Sequence, residues 1–238
     1  MKPILFNTEM VRAILEGRKT VTRRVIKPQP TYSPRDGFTW KGGAYGTDLP
    51  PTIKGACYNL RCAAPYQVND ILWVRETWLK ADDGYYYRAD ETPHSKRQRE
   101  EYGYKWKPSI HMPKEAARIF LRVTGVRVER LQDITEEQAE AEGIRGYTKD
   151  GKLYKYAASI DWWSEFHYKH RKIFKGNWWQ DMPRTAKEAF HHLWNSTLGR
   201  KDTPEWYANN WSGNPYVWVI EFEVISKSEA LGGNSPEG

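Results

Sequence analysis

The residues able to build a core arrive in short blocks. Ile4 to Phe6, Thr20 to Ile26, Ile71 to Trp78, Ile119 to Glu129 and Tyr216 to Ile225 are each of strand length. None approaches the roughly 20 apolar residues that a membrane-spanning helix requires. Helical patterns lie between them. Asn7 or Thr8 caps the first, Glu9 suits its positive end, and Met10, Val11, Ile14 and Leu15 share one face before Gly17 stops it. Thr135 and Gln138 stand at capping-box spacing before a short helix that Gly143 ends. From Thr185 to Leu198, Ala186, Ala189, Phe190, Leu193, Trp194 and Thr197 keep a helical rhythm. Asn69-Asp70 marks a turn, and Tyr85 to Tyr87 suggests one more strand. With no internal repeat, this pattern predicts a single α+β domain over residues 1–225.

Two stretches interrupt the pattern. Residues 27–66 are rich in Pro and Gly and read as a long, mostly irregular insertion. Residues 145–182 form a second insertion, dense in aromatic and basic side chains. The charged stretch from Asp90 to Tyr102 is expected to be exposed, and the Gly-, Ser- and Pro-containing tail 226–238 to be disordered.

Composition narrows the partners. The chain of 238 residues has 37 Lys and Arg against 30 Asp and Glu, a formal +7 that favours polyanions. Its twelve Trp and fifteen Tyr either fill the core or stack on bases. Cys57 and Cys62 give no disulfide framework, and no second cysteine pair joins them or His167 and His170 in a zinc set, so no metal is expected. There is no phosphate-binding glycine loop, and no cofactor is implied. The first residues, MKPILFNTEM, lack a leader's apolar stretch. These features predict a cytoplasmic protein without membrane contact.

Chemistry concentrates in Gly17-Arg18-Lys19-Thr20-Val21-Thr22-Arg23-Arg24. A lysine at a turn precedes a strand in which Thr20, Thr22, Arg24 and Ile26 face one side, with Val21, Arg23 and Val25 on the other. Ammonium, hydroxyl and guanidinium together suit an anion or a polar base edge; an exposed basic turn is the plainer reading. Glu76 shares a strand face with Leu72, Val74 and Trp78. That apolar setting raises a carboxyl pKa or demands a basic partner, and Arg24 is one option. The segment from Trp162 to Trp179 interleaves rings with bases and reads as a single-strand binding surface, a lid or an oligomer contact.

Several segments resemble the ASCH family. Leu15 to Arg24 is similar to its G-x-K-x-x-T-x-R signature after the first helix. Asp70 to Trp78 resembles the family's G-D-x-L-x-V strand, with Asn69 where glycine is usual. Ile134 to Gly143 resembles its short acidic helix, and Val217 to Phe222 its closing strand. Ser109-Ile110-His111-Met112-Pro113 is similar to longer ASCH proteins of phages and prophages. The matches run in order over about half the chain and omit both insertions.

The resemblance implies a PUA-like mixed β-barrel flanked by helices, with a cleft for RNA or a nucleoside. Some small members remove the acyl group of N4-acetylcytidine with a lysine, a threonine and a glutamate, which match Lys19, Thr22 and Glu142. Other members cut RNA or only bind it. Two functions are therefore expected. One is an amidohydrolase in which Lys19, once deprotonated, activates Thr22 or a water, assisted by Glu142 and Arg24. The other is a non-catalytic RNA-binding module, or a ribonuclease, in which Lys19, Arg23 and Arg24 grip phosphates, with Glu76 and Trp78 as further contacts.

Overall fold

A mixed five-stranded sheet frames the protein, and the computed structural model describes residues 1–45 and 53–232. Strand β1 (Lys2–Leu5) leads into helix α1 (Thr8–Leu15), capped by the Asn7 side chain, which accepts the Met10 amide at 2.9 Å. Gly17, at φ +72°, then turns the chain into β2 (Val21–Val25). The first insertion contributes an antiparallel sheet of β3 (Thr31–Ser33), β4 (Gly37–Trp40) and β5 (Gly43–Tyr45), followed by α2 (Ile53–Leu60). Next come β6 (Ile71–Arg75) and the hairpin of β7 (Trp78–Ala81) and β8 (Gly84–Tyr87). Helix α3 (Pro93–Glu101) has no buried residue, as its charge predicts. The long strand β9 (Phe120–Arg130) precedes α4 (Glu136–Ala141).

The second insertion folds into a hairpin of β10 (Arg145–Thr148) and β11 (Tyr154–Ala157), and then α5 (Ile160–Lys169). Helices α6 (Ala186–Thr197) and α7 (Pro204–Asn209), strand β12 (Tyr216–Ile225) and a last short helix α8 (Lys227–Ala230) complete the order.

The main sheet runs β1-β6-β9-β12-β2, parallel only between β1 and β6. The class is α+β. Among the described residues the sheet is open, because no backbone ladder joins its edge strands β1 and β2. One side chain spans the gap instead, since Arg24 Nη2 donates to the Leu5 carbonyl at 2.7 Å.

Two expectations change. The first insertion is ordered wherever it is described. Gly37 at φ +70° and Gly42 at φ +80° are spent on its two tight turns, so the glycines that look like loop composition are hairpin signals. Phe38 is fully buried and meets the Tyr216 ring edge-on at 4.7 Å, while Trp40 meets Trp218 at 5.8 Å, so this insertion covers part of the main core. The start of the tail is also ordered. Ser226 and Glu229 form a reciprocal capping box, and Ala230 is buried with Trp73 and Ile225. Residues 233–238 lie outside the described residues.

Most rings of the second insertion pack on one another. Trp163 is fully buried with Ala157 and Met182, and its indole N–H donates to the Trp178 carbonyl at 2.6 Å. Phe166, Phe174, Trp178 and Trp179 close around it.

Candidate functional site

The end of α4 is held against the end of α1 by a glycine. Gly143 sits at φ +103°, and a Cβ there would lie 2.8 Å from the Ala13 Cβ, closer than packing allows. This approach sets Lys19 opposite Glu142 in an isolated antiparallel bridge, with the Thr20 amide donating to Ala141 O at 2.9 Å. Arg18 reinforces it from outside through the Gly143 carbonyl at 2.5 Å.

The Lys19 ammonium has three acceptors: Val21 O at 2.7 Å, Glu142 O at 3.0 Å and Glu142 Oε2 at 2.6 Å. The two side chains are 1% and 4% exposed. Burial penalises the ammonium more than Glu142 rewards it, and Arg24 and Arg23 push the same way as burial. The Lys19 pKa is lowered to about 8. At neutral pH the group is still mostly charged, as its three acceptors require, but deprotonation lies within reach.

The second carboxylate oxygen of Glu142 takes Arg23. Its Nη1 reaches Glu142 Oε1 at 3.2 Å, and its Nη2 reaches Gln138 Oε1 at 2.8 Å and Glu129 Oε2 at 3.3 Å. Glu129 also pairs with Arg127, which in turn pairs with Glu221. An alternating chain of charges therefore runs from the buried amine to the partly exposed Glu221. The Arg23 side chain is 0% exposed, so it is spent on this network and is not presented to a phosphate.

Thr22 and Arg24 lie alongside. Thr22 is buried, and its Oγ1 accepts from Arg24 Nη1 at 2.9 Å. The Phe6 ring links the two groups, with Lys19 Nζ at 5.7 Å and Arg24 Cζ at 5.1 Å from its centroid. Lys19, Arg23 and Glu142 are thus in direct contact, and Thr22 is joined to Arg24.

Glu76 and Trp78 belong to another neighbourhood. Arg24 is not the partner of Glu76. Arg118 grips both carboxylate oxygens, Nε to Oε1 at 2.9 Å and Nη2 to Oε2 at 3.0 Å. Burial raises the Glu76 pKa and Arg118 opposes it. Trp78 is buried against Tyr85 at 5.8 Å, and among the described residues its indole N–H meets no hydrogen-bond acceptor.

Gln138, Glu129, Phe6 and Arg118 are the residues a sequence reading misses. Only Gln138 carries a local signal, its capping-box position, and its side chain both caps α4 and receives Arg23. Cys57 and Cys62 are free thiols, and among the described residues no group of three or more His, Cys, Asp or Glu is placed to hold a metal. Among those residues, no helix is long and apolar enough to cross a membrane. No protein-family model, curated protein or solved structure significantly matches the chain.

Proposed function

We propose that this chain is an ASCH-type, PUA-like cytoplasmic protein that hydrolyses the amide of an acylated nucleobase such as N4-acetylcytidine, as a nucleoside or within RNA. The observation that carries this reading is the buried Lys19–Glu142 pair, in which desolvation holds the lysine pKa at about 8. A catalytic base needs a pKa near working pH, and a dry site beside a carboxylate supplies it.

In this reading the neutral Lys19 amine takes a proton from Thr22 or from a water as the oxygen attacks the acyl carbon. The Arg24 guanidinium, already on Thr22 Oγ1, stabilises the developing oxyanion. The proton on Lys19 then passes to the departing cytosine amine, and Glu142 keeps the lysine aimed throughout. Where Thr22 is the nucleophile, a water deprotonated by Lys19 then attacks the acyl-threonine ester, releasing the acid, and the lysine proton returns to Thr22 Oγ1. Thr22 is only 1% exposed, so the base enters by displacing Arg24 from the Leu5 carbonyl.

A second reading, an RNA-binding module, draws on one surface. Arg171, Lys172 and Lys175 lie exposed in the loop after α5, beside Tyr168 and Ile173, which are 67% and 71% exposed.

Turnover of N4-acetylcytidine by the purified chain tests the first reading. Wild type is expected to release cytidine and acetate, while Lys19→Ala and Lys19→Arg release none although they remain folded by circular dichroism. Absence of release at high enzyme concentration refutes the amidohydrolase. Salt-dependent binding of labelled single-stranded RNA that survives Lys19→Arg then supports the second reading.

A further inference from the structure

The hairpin β7–β8, helix α3 and the segment after it enclose a cavity of about 540 Å³ that shares no residue with the Lys19 cluster. Its walls carry the rings of Tyr85, Tyr86, Tyr87, Tyr102, Tyr104 and Trp106. Three carboxylates, Asp83, Asp90 and Glu91, and two guanidiniums, Arg99 and Arg118, make up the charged lining, with Ser95 and Gln98 beside them. A cavity of this size with mostly aromatic walls and a few fixed polar groups is how small-molecule sites are built.

The charges decide what it can hold. Neither arginine is free to meet an anion. Arg118 is saturated by Glu76 and by Asp90, at 2.5 and 3.2 Å to the latter, and Arg99 Nε is bound to Glu91 at 2.7 Å. Both guanidiniums also lie over rings, Arg118 at 4.0 Å from the Tyr87 centroid and Arg99 at 5.5 Å from Trp106. The lining therefore has one carboxylate more than its guanidiniums in a chain whose formal charge is +7.

Tyr85 packs on Trp78, and the other three rings are open. Tyr102 is 72% exposed, Tyr86 46% and Tyr104 38%. Tyr102 and Tyr104 stand 6.4 Å apart with their planes inclined at 48°, forming a wedge. Ring faces attract cations, most strongly those that shed water easily, whereas a primary ammonium is strongly hydrated.

We propose that this cavity binds a small organic cation whose charge sits on an alkylated nitrogen, between Tyr86, Tyr102 and Tyr104, with Asp83, which accepts the Tyr86 hydroxyl at 2.6 Å, as its counter-charge. The site is independent of the chemistry at Lys19. Such a cation could be a free quaternary amine or an alkylated nucleobase, and the shared chemistry is the weakly hydrated positive nitrogen.

Calorimetric titration of the full chain with choline and with its neutral isostere 3,3-dimethylbutanol tests the proposal. Choline is expected to bind about tenfold tighter or better, and Tyr104→Ala or Asp83→Asn to remove most of that preference. Both positions are exposed, so the melting temperature should hold and report that the fold is intact. Equal binding of the two probes, no heat from either at millimolar concentration, or unchanged choline binding in both variants overturns the proposal. A parallel titration with 7-methylguanosine against guanosine separates the sources. Preference for the methylated base above choline assigns a base-borne cation, and the reverse assigns a free amine.

Discussion

Glu142 and Glu76 are both removed from water, with side chains 4% and 2% exposed, yet they are answered by different cations. Glu142 divides its oxygens between a lysine and an arginine that are themselves 1% and 0% exposed. Glu76 receives a single arginine fork, and that arginine is 27% exposed and shared with the solvated Asp90. An arginine does not give up its proton in a protein, so the cation of the Glu76 pair is fixed in charge and acts as a clamp beside the aromatic cavity. A buried lysine can give up its proton. Of the two cations, only Lys19 can change its protonation near neutral pH.

Four experiments break or sharpen this comparison. Lys19→Arg keeps a cation on Glu142 but removes the titratable amine. Turnover of N4-acetylcytidine should fall by about 100-fold or more, since acid–base groups contribute on that scale. The same replacement is silent if the lysine only supplies charge.

Glu142→Ala leaves two cations facing each other in a dry site and should lower stability in urea titration by about 3–5 kcal/mol. Glu76→Ala should cost less, about 2 kcal/mol, because Arg118 keeps Asp90 and some water. Equal losses in the two variants would erase the difference between the centres. Glu129→Gln removes a carboxylate that is 22% exposed from the outer side of Arg23 and should cost about 1 kcal/mol or less, measured in the same way.

Local chemistry in the sequence foretells local structure. Asn7 caps α1, Thr135 and Gln138 form their box, and Gly17 and Gly143 take positive φ where helix stops were expected. Asn69 adopts φ +71°, which explains a position where the resembling pattern has glycine. Contacts between distant residues are another matter. Lys19 and Glu142 are 123 residues apart, and without the resemblance nothing in either segment pairs them. Strand alternation states which face Arg24 and Glu76 occupy but not what lies opposite, so it misses Arg118, which comes from a segment with no periodic signal. Alternation sets Arg23 on the face opposite Thr22 and Arg24, but it does not show that Arg23 shares the Glu142 carboxylate with Lys19. Composition misleads in the first insertion, where glycines serve hairpins, and in the tail, where a capping box at Ser226 and Glu229 outweighs the polar residues after it.

The most direct test is the pH dependence of N4-acetylcytidine cleavage by wild type and Lys19→Arg. Burial lowers the Lys19 pKa to about 8, so the reactive neutral amine is scarce below that pH and dominant above it. The account predicts a kcat/KM that rises about tenfold per unit well below pH 8, levels off above it, and is lost in Lys19→Arg. A flat profile across this range, or cleavage that persists in Lys19→Arg, contradicts it.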